Sequence, residues 1–212
     1  MNNLEAITDQ IRSEFEARTA ARDLALAQTR LLTRHCANAI RAIHRNEKEL
    51  AFEHLTEAQK LAESLKTDLA EYPALYFAGY TQDALKEYAE ANLVYALVQG
   101  DEIPLPSKLG VESSTFMQGL AEAIGELRRR CLDKLRMGDF GEAARLLALM
   151  DDIFTELVTM DYPDAVTGGL RRLTDIARSI LERTRGDLTL SQRQEQLEIE
   201  IHNLEKRLKE TK

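Results

Sequence analysis

From Asn3 to Arg45 neither glycine nor proline interrupts the chain, and apolar residues recur at helical spacing through Ile7, Ile11, Leu24, Leu31, Ile40 and Ile43. The pattern predicts one very long helix. Asn46, followed three residues later by Glu49, has the form of a capping box and predicts a second helix running to about Ala70. Pro73 marks the next break. A third helix ends at Gly100, and Asp101 through Pro106 must form a loop because two prolines cannot sit in a helix interior. Helix four extends from about Ser113 to Met137, with Phe116, Leu120, Ile124, Leu127 and Cys131 along one face. Asp139 and Glu142 repeat the capping-box form ahead of helix five, which ends near Met160. Asp161-Tyr162-Pro163 opens a sixth helix to about Arg185, since a proline in the first turn gives up no hydrogen bond. Gly186 precedes a last helix, about Leu190 to Lys209. There Leu190, Leu197, Ile201, Leu204 and Leu208 follow one another in steps of seven, four, three and four.

That last spacing is a narrow seam rather than a broad core face, and it reads as a coiled contact with another helix, across a subunit boundary in preference to one within the domain. Residues 1–187 are therefore expected to form one all-α antiparallel bundle of about six or seven helices, and residues 188–212 an assembly arm. Composition agrees: 44% of the 212 residues are hydrophobic and 30% charged, with only four prolines and ten glycines, so a helical chain can bury a substantial core. A net charge of -8 and a pI near 5.2 argue against coating nucleic acid by bulk positive charge, but leave room for a local basic surface. Cys36 and Cys131 sit in apolar helical patterns without CxxC or Cys/His ligand spacing, which reads as two reduced thiols in a cytoplasmic protein. No apolar run approaches the roughly eighteen residues that span a bilayer, so neither membrane insertion nor secretion is expected.

The third helix places acids where burial is expected. At about 100° per residue, Asp83, Glu87 and Glu90 fall within about 60° of one another, and Val94 and Val98 continue the line. Leu85, Tyr88, Leu93, Tyr95 and Leu97 fill much of the remaining circumference. Buried charge is tolerated when paired, protonated or bound to a metal. Glu87 and Glu90, one turn apart, are close enough to share a divalent cation; a solvated face beside Lys86 is the competing reading, and the pattern leaves both open. On helix five, Asp152 and Glu156 lie along one edge of the stripe Leu146, Met150, Ile153, Phe154 and Leu157, with Asp151 on the opposite edge. Such margins are ordinarily solvated. Gathered from neighbouring helices, however, carboxylates would bind Mg²⁺ or Mn²⁺, which prefer oxygen ligands and can activate water for phosphoryl chemistry.

A basic face balances the acidic one. Arg30, Arg34, Arg41 and Arg45 fall within about 60° of a common line on helix one. Planar guanidinium groups bind phosphate in bidentate fashion, so the row can track a nucleic-acid backbone, or else form a solvated or ion-paired face. His35 and His44 lie nearby and read as structural. Consecutive residues on a helix diverge, so neither Arg128-Arg129-Arg130 nor Arg171-Arg172 makes one patch. Gly168-Gly169 is expected to allow close helix approach. No Ser/His/Asp or Cys/His nucleophile arrangement is present, and the absence of tryptophan weakens recognition by base stacking.

Three segments carry a resemblance: Phe77-Ala78-Gly79-Tyr80 through Glu87-Tyr88-Ala89-Glu90-Ala91, then Gly119-Leu120-Ala121-Glu122-Ala123-Ile124-Gly125-Glu126-Leu127-Arg128-Arg129, then Met160-Asp161-Tyr162-Pro163-Asp164-Ala165. They resemble the translin superfamily, and look nearer to translin-associated factor X and its archaeal relatives than to translin itself. The likeness runs from helix one to about Asp187. It implies an all-helical chain that assembles with itself into a hollow octamer and binds RNA or single-stranded DNA. It further implies an endoribonuclease that uses Mg²⁺, with Mn²⁺ as a substitute; a catalytically silent, translin-like binding shell is the alternative. Glu87 and Glu90 match the family's Glu-x-x-Glu catalytic motif. Leu149-Met150-Asp151-Asp152-Ile153-Phe154 resembles the segment bearing the third catalytic carboxylate, which falls on Asp152, or on Asp151 if the register shifts by one. By the same resemblance Glu126 has a metal-binding or structural role, and the helix-one arginines are RNA contacts by position.

Overall fold

The computed structural model describes residues 3–210, all helices and short connections, with no strand among them. The elements are α1 (Leu4–His44), α2 (Lys48–Asp68), α3 (Pro73–Tyr76), α4 (Gly79–Gln99), α5 (Pro106–Leu109), α6 (Ser113–Arg136), α7 (Phe140–Thr159), α8 (Asp164–Thr167) and α9 (Leu170–Glu210). The expected all-α class holds. The described residues form two compact units that divide between Leu120 and Ala121, with α6 running through the division.

In the first unit α1 packs along α2 and α4. Leu32, Cys36 and Ile43 of α1 are buried with Leu55, Ala58 and Leu65 of α2 and Leu85, Leu93 and Val94 of α4. A fully buried leucine such as Leu32 or Leu65 contributes on the order of 2 kcal/mol of hydrophobic stabilisation. The burial on α1 begins only at Ala25; before it Leu4, Ile7, Ile11, Phe15 and Leu24 are exposed. Between α1 and α2 the chain turns through a Schellman motif. Asn46 takes a left-handed φ of 60°, its N–H donates to Ile43 O (3.1 Å), and Glu47 N–H donates to Ala42 O (2.9 Å). Asn46 thus closes α1 rather than opening α2. The N-cap of α2 is Glu47, without a side-chain cap, because an αL residue serves the preceding helix end.

In the second unit α9 packs on α7. Leu170, Thr174, Ala177, Leu181, Thr184 and Leu188 are buried in alternating steps of four and three, facing a core that includes Leu146, Met150, Ile153 and Leu157. Asp139 accepts a hydrogen bond from Glu142 N–H (3.2 Å), so the α7 start predicted from sequence is present. The carboxylate of Glu142 turns instead to Arg145, which donates to both of its oxygens at 2.7 Å. The break expected at Gly186 is absent. Gly168 and Gly169, at φ 62° and 87°, end α8, and the helix that follows runs unbroken through Gly186 to Glu210. Consecutive left-handed residues cannot continue a right-handed helix, whereas an interior glycine costs only about 1 kcal/mol. Past Leu188, α9 has no buried residue: Leu190, Leu197, Ile201, Leu204 and Leu208 all lie exposed.

Candidate metal centre

Helix α4 is buried around most of its circumference, through Thr81, Ala84, Leu85, Tyr88, Ala89, Ala91, Leu93, Val94, Ala96, Leu97 and Val98. Its start is fixed by side-chain bonds: Thr81 Oγ1 donates to Leu75 O (2.8 Å) and Gln82 Nε2 to Tyr76 O (2.9 Å). Thr115 Oγ1 at the start of α6 donates to Gln82 Oε1 (2.7 Å). One turn further, Gly119 brings the α6 backbone against α4. A Cβ there would stand 2.9 Å from Glu90 N, 3.0 Å from Lys86 O and 3.0 Å from Ala89 Cβ. Only glycine permits that approach.

The approach places Glu122, three residues beyond Gly119, with two acids of α4. Glu87, Glu90 and Glu122 each offer a carboxylate oxygen within 4.8 Å of the others. Glu90 is only 8% exposed; Glu87 and Glu122 are half-buried. Cys36 of α1 adjoins the acids. Burial pushes its thiol pKa well above the ordinary value, and the negative charges of Glu87 and then Glu90 push it further. Tyr88, on the same turn of α4, is pushed up to about 12, first by burial and then by Cys36 and Glu63.

Oxygen donors of this density, partly withdrawn from water, can hold a hard divalent cation. The donor set fits Mg²⁺ or Mn²⁺ better than a softer ion, because no thiolate or imidazole belongs to the group.

Of the residues singled out in the sequence, Glu87 and Glu90 are brought together, and Glu122 joins them. Glu126, one turn beyond Glu122, lies 3.7 Å from Arg129 and outside the group. Asp83 is exposed. Asp151 is bonded to Arg185 Nη2 at 2.6 Å, and Asp152, exposed on α7, is not in the group. Arg30, Arg34, Arg41 and Arg45 are all exposed, on the side of α1 away from its buried stripe; Arg41 Nη1 donates to Asn38 Oδ1 (3.2 Å). Sequence pattern passed over Glu122 because Ala121, Ala123 and Ile124 around it read as an ordinary core face. The signal that could have found it was Gly119, a small residue one turn before an acid in a helix otherwise rich in bulky apolar groups.

No protein-family model matches the chain. An uncharacterized protein of Methanocaldococcus jannaschii is 33% identical over 172 residues, which is 80% of this chain and 75% of that protein. The solved structure of AfC3PO in complex with duplex RNA matches with a TM-score of 0.80 and 35% identity, over 87% of this chain and 96% of the other. A crystal structure of AfC3PO matches with the same score and coverage at 34% identity. Apo-NeC3PO has a TM-score of 0.80 with the same coverage at 20% identity, a likeness of fold alone.

Proposed function

The chain belongs to the translin superfamily, and from that membership we propose that it is an oligomeric protein of the cytoplasm that binds RNA or single-stranded DNA and cleaves RNA internally with Mg²⁺. The observation that carries the reading is the convergence of Glu87, Glu90 and Glu122. An acidic cluster on a buried helix is costly to keep, and a binding scaffold has no need of it. Glu87, Glu90 and Glu122 would hold the ion, and Mn²⁺ would substitute for it. The chemistry such an ion would supply there is activation of a water and stabilisation of charge on the phosphoryl oxygens. Glu90, fixed by burial on a helix packed from several sides, orients its carboxylate before substrate arrives. Glu126, next to the group along α6, supports the acidic wall.

Asp152 is proposed as a further carboxylate of the site, on family resemblance. The engagement of Asp151 by Arg185 favours Asp152 over its neighbour. Arg30, Arg34, Arg41 and Arg45 hold the phosphate backbone through bidentate contacts; their exposure and their common line support this. The duplex RNA bound by AfC3PO supports a nucleic-acid partner of this kind.

Self-association, into an octamer as the family resemblance implies, is supported by two uncovered apolar rows. One is Leu4, Ile7, Ile11 and Phe15 on α1, the other Leu190, Leu197, Ile201, Leu204 and Leu208 on α9. The second row supports reading residues 188–212 as an assembly arm, of which residues 211 and 212 lie outside the described residues. No helix among the described residues is long and apolar enough to cross a membrane.

The test is cleavage of a single-stranded RNA by the purified protein in Mg²⁺ and in EDTA, with Glu90→Gln beside the wild type. Cleavage that needs Mg²⁺ and falls at least a hundredfold in Glu90→Gln supports the assignment. RNA binding without cleavage by the wild type would make the protein a silent shell instead.

A further inference from the structure

Two imidazoles meet in the first unit, between α1 and α2. His35 of α1 and His54 of α2 approach with their Nδ1 atoms 3.2 Å apart, ring centroids 5.4 Å apart and ring planes inclined at 61°. Both rings sit at the margin of their helices' buried stripes and are half-buried. The neighbours Leu32, Cys36, Ala51, Leu55 and Ala58 are in the core, so the two backbones are held rigidly at this point. A surface groove opens over the pair, lined by Glu53 and Glu57 as well as by the two imidazoles. Glu57 lies one turn beyond His54 on α2. Its carboxyl is held below the ordinary range by the Lys60 ammonium, which donates to it at 2.7 Å, with a smaller electrostatic contribution from His35.

Two imidazole nitrogens bound to one tetrahedral ion at about 2.0–2.1 Å stand about 3.3 Å apart. The observed separation already matches. In the metal-free pair one Nδ1 donates a hydrogen bond to the other, so the rings share one proton between two nitrogens. A turn about the soft χ2 torsions aims both lone pairs at a common point, and each ring then carries its proton on Nε2. From this geometry we infer that His35 and His54 form a binding site for a divalent transition ion of the imidazole-preferring class, with Glu57 or water completing the shell. Zn²⁺, Co²⁺, Ni²⁺ and Cu²⁺ belong to that class; Mg²⁺ does not, so the site is chemically orthogonal to the all-carboxylate cluster on α4 and α6. The ion clips α1 to α2 and stabilises the folded state, because the unfolded chain holds the two histidines nineteen residues apart in sequence.

The probe is Zn²⁺, titrated calorimetrically into the untagged full-length protein. One equivalent is expected to bind with micromolar affinity. His35→Gln and His54→Gln are each expected to weaken that equivalent at least tenfold, while Glu90→Gln leaves it in place. Unchanged affinity in either histidine variant would overturn the inference. A measurement on the wild type needs no variant to fold: X-ray absorption at the zinc edge, with one equivalent loaded. A nitrogen shell near 2.0 Å with imidazole scattering is expected, and an all-oxygen shell would refute the site.

Discussion

Gly119→Ala isolates the helix approach on which the acidic centre depends. An alanine Cβ at this position meets the backbone of α4, with Glu90 N at 2.9 Å and Lys86 O at 3.0 Å, and these atoms are not the ends of flexible side chains. One of the two helices must therefore move by a few tenths of an ångström. Overpacking of this sort costs about 1–3 kcal/mol, whereas exchanging glycine for alanine in a helix interior gains about 1 kcal/mol. The net expectation is a loss of about 1 kcal/mol or slightly more, which for a chain of this length lowers Tm by about 2–5 °C. Gly186→Ala is the internal control. It lies inside α9, a Cβ there meets nothing within 4 Å, and the same substitution should raise Tm by about 2–4 °C through helix propensity alone. Differential scanning calorimetry at fixed protein concentration, in EDTA, reads both. A calorimetric titration with Mn²⁺ then asks whether Gly119→Ala also weakens binding, since the shift displaces Glu122 from Glu87 and Glu90. Equal stabilisation by the two substitutions would refute the reasoning from close approach.

Three further outcomes are expected. The Cys36 thiol is held protonated in the folded protein by burial and by Glu87 and Glu90, and Tyr88 is pushed up to about 12. Both pKa values are raised, so the stability they contribute is full below the unfolded values, about 8.5 for Cys and 10 for Tyr, and falls as pH rises beyond them. Urea unfolding in EDTA at pH 8 and pH 9.5 should show this loss, with a shallower decline in Cys36→Ala. Leu204→Asp on the exposed α9 seam should reduce the mass of the assembly by light scattering while leaving helical circular dichroism intact; an unchanged assembly would deny the arm its role. Arg34→Ala with Arg41→Ala should flatten the slope of log K against log salt for RNA binding by about one for each arginine removed, with little dependence on sequence.

The helices were legible because their punctuation is strong. The glycine- and proline-free run to Arg45, Gly100 at the end of α4 and Asp139 before α7 fall where the structure places their boundaries, within a residue or two. The misreadings share a cause. Asn46 satisfies the residue pattern of an N-cap, yet its left-handed φ serves the end of α1; Gly186 and the Gly168-Gly169 pair differ in backbone conformation, which composition does not reveal. At the acidic centre, Glu87 and Glu90 were readable from spacing on a single helix, because i and i+3 always share a face. Glu122 was not, since its place depends on how near α6 comes to α4 at Gly119, a tertiary distance. The His35–His54 pair is invisible to pattern for the same reason: each histidine is ordinary on its own helix, and only the packing of α1 on α2 sets their nitrogens 3.2 Å apart.

The central claim is that the α4–α6 carboxylates hold the ion that drives RNA cleavage, and anomalous diffraction from crystals soaked in Mn²⁺ tests it most directly. The account predicts a peak among Glu87, Glu90 and Glu122 with carboxylate oxygens at about 2.0–2.3 Å, joined by Asp152 as the proposed further carboxylate. A peak at Asp152 without the α4 glutamates, or none at millimolar Mn²⁺, would contradict it.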